Sequence, residues 1–249
     1  MLKINNSAES AEIYITGDII DDVDGAYMDA WDLGEGYEWP SDIRAQLDAA
    51  AGKPLTVYIN SDGGSVPAGV AIANMISRHD APTRAVIDGW CCSIATQIFF
   101  AAQQREMPEN AYLMIHKPWT VAKGDADEMM RAASYLETVQ AGLETTYAKA
   151  ARDGVTAERI HELVNAETWL TGKDAAELFD IKVMDAAPVL NCIGGRAADS
   201  MKPPKGIVIN KAAKVETPEP FFDEEAGKNI IKMQAKVKAA LAMKGAILS

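Results

Sequence analysis

The pattern of apolar and polar positions alternates between two periods along most of the chain. Residues 11–19, "AEIYITGDI", alternate strongly enough for a half-buried strand, with Gly17 turning the chain. Residues 22–39 keep neither period and read as an acidic, aromatic, glycine-containing loop. Pro40 and Ser41 then open a helix, "SDIRAQLDAA", with Ser41 as its N-cap. "PLTVYIN" is a buried-type strand rich in β-branched residues, and it ends in "SDGGS", residues 61–65. "VPAGVAIANMISRH" is a helix, "TRAVIDGW" a strand, "SIATQIFFAAQQ" a helix and "AYLMIH" a strand. Such alternation predicts an α/β fold, a parallel sheet covered by helices.

A long helix follows over 125–151. Met129, Ala133, Leu136, Leu143 and Tyr147 keep a three–four spacing, interrupted by Gln140. "TAERIHELVN", with Thr156 at its start, and "TGKDAAELFDI" are two shorter helices. Beyond Ala187 the texture changes. Segments 194–206 and 214–225 read as Pro/Gly linkers, with "GIVIN" between them as an edge strand. The end of the chain is helical in pattern, with Ile230, Met233, Val237 and Leu241 on one face. The expected organisation is a domain over 1–187 and an extension with a terminal helix over 188–249.

Composition narrows the classes. With 48% hydrophobic residues the 249-residue chain can bury a sizeable core, and its net charge of −12 opposes binding to nucleic acid or anionic membranes. The charge is uneven: from Met201 onward 9 lysines face 5 acids, so the tail carries about +4 and the remainder −16. No leader pattern and no run of 18 apolar residues is present, so neither a signal peptide nor a membrane span is expected. Three cysteines, Cys91, Cys92 and Cys192, suggest a reducing compartment and contain no zinc spacing.

Ser93, His116 and the 61–65 segment are the chemical candidates. Alone, Ser93 reads as an N-cap, because G-x-S-x-G is absent: Gly89 lies four residues back and Ala95 follows Ile94. At a helix start, though, the Ile94 amide has no helical partner and could bind an oxyanion. Gly63 and Gly64 permit close backbone approach, although a simple turn explains them equally. His116 ends a strand, and Pro118 keeps the chain extended beyond it. Strand ends are where open parallel sheets place their sites. His79 and His161 fall on polar helix stretches and are assigned no role.

In order, "YINSDGGSVPAGVAIANMI", "GWCCSIATQIFFAA" and "AYLMIHKPW" resemble the ClpP-type Clp peptidase family. The likeness runs on through "GDADEMMRAASYLETVQAGLETTY", similar to that family's handle helix, to "ETWLTGKDAAELFDIKVMD". It covers about residues 11–187. The resemblance implies a ClpP/crotonase-type fold and a serine endopeptidase acting through an acyl-enzyme. Ser93 is then the nucleophile and His116 the general base, with the Gly64 and Ile94 amides as oxyanion hole. The third member falls at Glu167, where the family usually has Asp; Asp174 is the nearest Asp but lies on the following helix. Cys91 and Cys92 become small buried packing residues, with cysteine catalysis a minor alternative. No cofactor and no metal are implied. A homo-oligomeric ring of the heptamer type is, with the apolar stripe of the 125–151 helix pairing with another protomer.

About a dozen residues precede the first strand, the 22–39 segment exceeds the family's link, and the basic tail is unusual. These departures resemble the phage and prophage branch, head-maturation proteases acting on capsid or scaffold proteins without an ATPase. Localisation would be cytoplasmic, in a host cell or a procapsid interior. Three alternatives stay open: a catalytically weak scaffold of the same fold, a housekeeping-type ATP-dependent proteolytic subunit, and a CoA-binding crotonase-type enzyme.

Overall fold

The computed structural model describes residues 4–7, 9–31, 34 and 36–186. The expected linkers, the "GIVIN" strand, Cys192 and the terminal helix lie outside the described residues.

The expected α/β architecture is present. Its strands are β1 (Ile4–Asn6), β2 (Ala11–Ile19), β3 (Tyr37–Glu38), β4 (Leu55–Gly64), β5 (Thr83–Cys92), β6 (Gln104–Pro108), β7 (Tyr112–Ile115), β8 (Thr168–Thr171) and β9 (Lys182–Met184). The helices are α1 (Asp22–Ala30), α2 (Pro40–Ala49), α3 (Val66–Ser77), α4 (Ala95–Ala101), α5 (Ala126–Ala150), α6 (Ala157–Asn165) and α7 (Gly172–Leu178). The main path of the sheet runs β1-β2-β4-β5-β6-β9, antiparallel at β1/β2 and parallel elsewhere. β2 alternates buried and half-buried positions along its whole length, as its sequence predicts. Ile13, Ile15, Val57, Ile59, Ala85 and Ile87 from the three central strands are fully buried.

The feature that shapes the molecule is a fork in β5. Its first half, Arg84–Val86, pairs with β6, whereas Trp90–Cys92 pairs with β7. β7 in turn carries β8 antiparallel on its other side. The fork turns the end of β5 out of the main sheet and delivers Ser93 next to the end of β7.

Three local expectations are corrected. The 22–39 segment is not simply a loop: it contains α1 and the short β3. Asp21 caps α1 by accepting from the Val23 and Asp24 amides. Ser41 is not the cap of α2, because Pro40 occupies the first turn and the cap is Trp39. The 93–104 helix is shorter than its pattern, since Gln104 already belongs to β6.

The long helix matches its predicted span to within one residue at each end. Asp125 and Glu128 form a reciprocal capping box at its start. Only Leu143, Tyr147 and Ala150 of α5 are buried. Phe100, Tyr147 and Phe179 stack around this root, with ring centroids 4.9–6.4 Å apart. Towards the other end Met130 and Tyr135 are 61% and 55% exposed. No helix among the described residues is long and apolar enough to cross a membrane.

Candidate active site

Ser93 stands between β5 and α4, and its backbone is held from both sides. Its N–H donates to the Met114 carbonyl of β7 at 2.9 Å. Its own carbonyl accepts from the Thr96 amide at 3.1 Å and from Thr96 Oγ1 at 2.6 Å. Between these anchors Ser93 adopts a φ of 55°. A non-glycine residue in that left-handed region carries roughly 1–2 kcal/mol of strain, offset here by the hydrogen bonds on either side. Ser93 is therefore not an N-cap: Ile94 occupies that position, without a side-chain cap bond. The turn has the strand-to-helix geometry of an elbow that presents a side chain outward, although the glycines of G-x-S-x-G are missing. Relief comes from β4 instead, where a Cβ on Gly63 would lie 2.7 Å from Ser93 Cβ. Only a bare backbone fits against the elbow at that point.

His116 directly follows β7, two residues beyond the carbonyl that holds Ser93. Its Nε2 lies 2.7 Å from Ser93 Oγ. One short strand thus fixes both the backbone of the serine and its imidazole partner. Burial pushes the His116 pKa below the usual value, while the charge of Glu167 opposes that shift. The balance leaves a neutral ring at pH 7, able to accept the serine proton.

Glu167 follows the end of α6, where Asn165 is the last helical residue and Ala166 the C-cap. It takes a φ of 52°, the left-handed conformation usual for a glycine at this place. Its amide donates to the Val164 carbonyl at 3.3 Å, and the Thr168 hydroxyl takes the Leu163 carbonyl at 2.7 Å. These two bonds close the helix and aim the Glu167 carboxylate into the cleft. It is exposed there and acts on His116 through its charge; among the described residues no hydrogen bond joins the two. Asp174 belongs elsewhere, its carboxylate closing a capping box with Thr171 at the start of α7.

Ser93, His116 and Glu167 open onto one cleft of about 780 Å³, which Gly64, Asp62 and Trp119 also line. The Ser93 amide is spent on β7, so the adjacent backbone donor is that of Ile94, the first residue of the α4 turn. Gly64 has a φ of 143°, and a Cβ there would strike the Ile19 carbonyl at 2.0 Å, so glycine is required. Cys91 and Cys92 are fully buried, and burial raises both thiols well above their usual pKa. Neither is a thiolate available to a substrate. His79 bonds to the Lys53 carbonyl and His161 to Glu144, away from the cleft.

The Thr96 hydroxyl had no place in the sequence reading, yet it touches the elbow directly. Its signal was one of two adjacent polar side chains, Thr96 and Gln97, inside the otherwise apolar run "IATQIFF".

The fold has solved counterparts. A ClpP1 variant from Listeria monocytogenes superposes with a TM-score of 0.54 at 23% identity, over 70% of this chain and 91% of that one. Among curated proteins, "ATP-dependent Clp protease proteolytic subunit 2" of Treponema denticola is 32% identical over 131 residues. "ATP-dependent Clp protease proteolytic subunit 1" of Protochlamydia amoebophila is 29% identical over 130 residues. Each match takes in 51% of this chain and only 64% or 62% of the relative's own length. Residues 42–179, more than half of the sequence and the stretch that carries Ser93, His116 and Glu167, match the Clp protease family model; the chain belongs to the Clp protease family.

Proposed function

We propose that the protein is a serine endopeptidase that cleaves protein or peptide substrates through an acyl-enzyme. The observation that carries this reading is the 2.7 Å contact between Ser93 Oγ and a half-buried, neutral His116 at the wall of an open cleft. His116 Nε2 takes the hydroxyl proton as Ser93 Oγ attacks the scissile carbonyl. It then gives that proton to the leaving amine, and water repeats the sequence to release the acyl group. The negative charge on the carbonyl oxygen develops against the Gly64 and Ile94 amides. Glu167 stabilises the imidazolium that forms in between. No step needs a metal or cofactor.

The same reading assigns a homo-oligomeric ring of the heptamer type, in which the exposed apolar positions of α5 meet another protomer. The finer assignment is the head-maturation branch, with capsid or scaffold proteins as substrates and no ATPase requirement. It is supported by α1, an element inserted between β2 and α2 where the family resemblance has a shorter link. A second reading has one observation in its favour: the exposed Glu167, without a hydrogen bond to His116, suits a catalytically weak scaffold of the same fold.

A fluorophosphonate probe separates the two. Labelling at Ser93, abolished in Ser93→Ala, is expected of the peptidase, whereas an unlabelled wild-type assembly refutes it. Hydrolysis of an unfolded protein without nucleotide supports the finer assignment. Activity appearing only with a Clp ATPase removes that assignment and makes this an ATP-dependent proteolytic subunit.

A further inference from the structure

Behind the elbow two buried hydroxyls form a chain that ends on the Ser93 backbone. Thr96 and Tyr147 are 0% and 1% exposed, and their oxygens lie 2.7 Å apart, joining α4 to the root of α5. Thr96 Oγ1 is also 2.6 Å from the Ser93 carbonyl. A hydroxyl carries one proton and a carbonyl can only accept, so the Thr96 proton is committed to Ser93. The Tyr147 phenol must therefore donate to Thr96. The chain has one polarity, from Tyr147 O–H through Thr96 Oγ–H to the Ser93 C=O. Burial keeps the phenol protonated, its pKa pushed up to about 12, so the donor persists at any working pH.

The acceptor at the end of this chain belongs to a single planar unit, the Ser93–Ile94 peptide. In a trans peptide the C=O and the N–H lie in one plane and point in opposite directions within it. Fixing the Ser93 carbonyl therefore fixes the direction of the Ile94 N–H, the proposed oxyanion donor. Hydrogen bonds accepted by that carbonyl also polarise the same amide and strengthen it as a donor. The Ser93 N–H bond to Met114 constrains the other side of the residue; on this plane the Thr96 amide, 3.1 Å from the Ser93 carbonyl, is one anchor and the Thr96 hydroxyl, at 2.6 Å, is the second and shorter one.

We propose that Tyr147 and Thr96 are positioning residues: their hydroxyl relay, added to the Thr96 amide bond, locks the Ser93–Ile94 peptide plane and through it the stabilisation of the oxyanion. This rests on the serine-peptidase reading of the site. Neither residue touches substrate, so the relay acts on the transition state and leaves substrate binding alone.

Tyr147→Phe removes one oxygen and keeps the ring seated between Phe100 and Phe179. The expected result is a fall of about 5- to 10-fold in kcat with unchanged KM, the scale of one lost neutral hydrogen bond. Thr96→Val removes the direct donor and lowers kcat further, while Thr96→Ser keeps the hydroxyl and retains most of the activity. The double variant Tyr147→Phe/Thr96→Val is no worse than Thr96→Val alone, because the two groups act in series. Labelling of Ser93 by a fluorophosphonate slows in parallel, and a thermal melt reports the fold of each variant.

Wild-type kcat in Tyr147→Phe, a loss confined to KM, additive losses in the double variant, or failure of Thr96→Ser to retain activity would each overturn the relay. If Thr96→Val does not fold, Tyr147→Phe decides by itself. The two levels separate cleanly. A wild-type protein that is never labelled at Ser93 ends the peptidase reading and the relay with it. Normal wild-type labelling with unchanged rates in both variants ends the relay alone.

Discussion

Replacing Glu167 by glycine and by alanine should reverse the usual order of the two residues. Both changes remove the carboxylate, so any electrostatic loss is common to both, and this exposed charge contributes under about 1 kcal/mol to stability. What differs is the backbone. At a φ of 52° alanine keeps the Cβ that crowds the left-handed region, roughly 1–2 kcal/mol, while glycine has none. Against this stands the greater freedom glycine has in the unfolded chain, about 0.5–1 kcal/mol. The balance leaves Glu167→Gly more stable than Glu167→Ala by about 0.5–1 kcal/mol, or roughly 1–4 °C in melting temperature for a chain of this size. Thermal unfolding followed by circular dichroism measures it. Turnover should fall alike in both, yet by well under the ~10⁴-fold that follows loss of a hydrogen-bonded triad carboxylate, since Glu167 reaches His116 by charge alone. An alanine variant as stable as the glycine variant would refute the left-handed turn. Wild-type turnover in both would remove Glu167 from the site.

Four further outcomes follow from the same geometry. His116 has a lowered pKa, so it must lose its proton to act as base, and kcat/KM should show an acid limb below pH 6.5; in Glu167→Gln, which removes the charge that raises it, the limb moves lower still. Stability should decline over the same window as pH falls below about 6.5, because the unfolded histidine binds its proton first; a pH-independent melt between 5 and 7 would contradict this. Gly63→Ala would place a Cβ 2.9 Å from the Cys92 carbonyl and 2.7 Å from Ser93 Cβ, and should abolish probe labelling, whereas Gly52→Ala, with nothing within 4 Å, should cost only backbone strain and keep full labelling. Iodoacetamide should leave Cys91 and Cys92 of the native protein unmodified by mass spectrometry and its activity intact; rapid inactivation through either thiol would reopen cysteine chemistry.

Long periodic segments were legible because their burial is set by one neighbouring layer. β2 and α5 kept the spans their patterns predict, while β4 and β5 begin where predicted to within one residue and run on, to Gly64 and Cys92, because β2 and β7 pair with their ends. β6 and β8 were not legible. "QREMP" opens polar and ends in proline, and it becomes a strand only because β5 and β9 flank it. "TWLT" is a strand because β7 offers it an antiparallel edge. α1 was hidden by an internal glycine, yet Gly25 sits where any Cβ would strike the Trp39 ring. At the site, the order of motifs marked Ser93 and His116. It carried no sign that Ser93 and Glu167 both lie in the left-handed region, because neither Cys-Ser-Ile nor Ala-Glu-Thr favours it locally. The serine's conformation is imposed by Met114, distant in sequence, and the glutamate's by the bonds that close α6, its amide to Val164 and the Thr168 hydroxyl to Leu163.

The fork in β5 also orders events in time. Synthesis delivers Ser93 first, His116 23 residues later and Glu167 74 residues later. At about 5–20 residues per second, roughly 4–15 s separate the serine from the glutamate. β7 is made early in that interval and lacks its β8 edge for the rest of it, so the strand that carries His116 and fixes the Ser93 amide is paired on one side only. Until β7 is seated, the Ser93 hydroxyl lacks the 2.7 Å imidazole contact that distinguishes it from a surface serine.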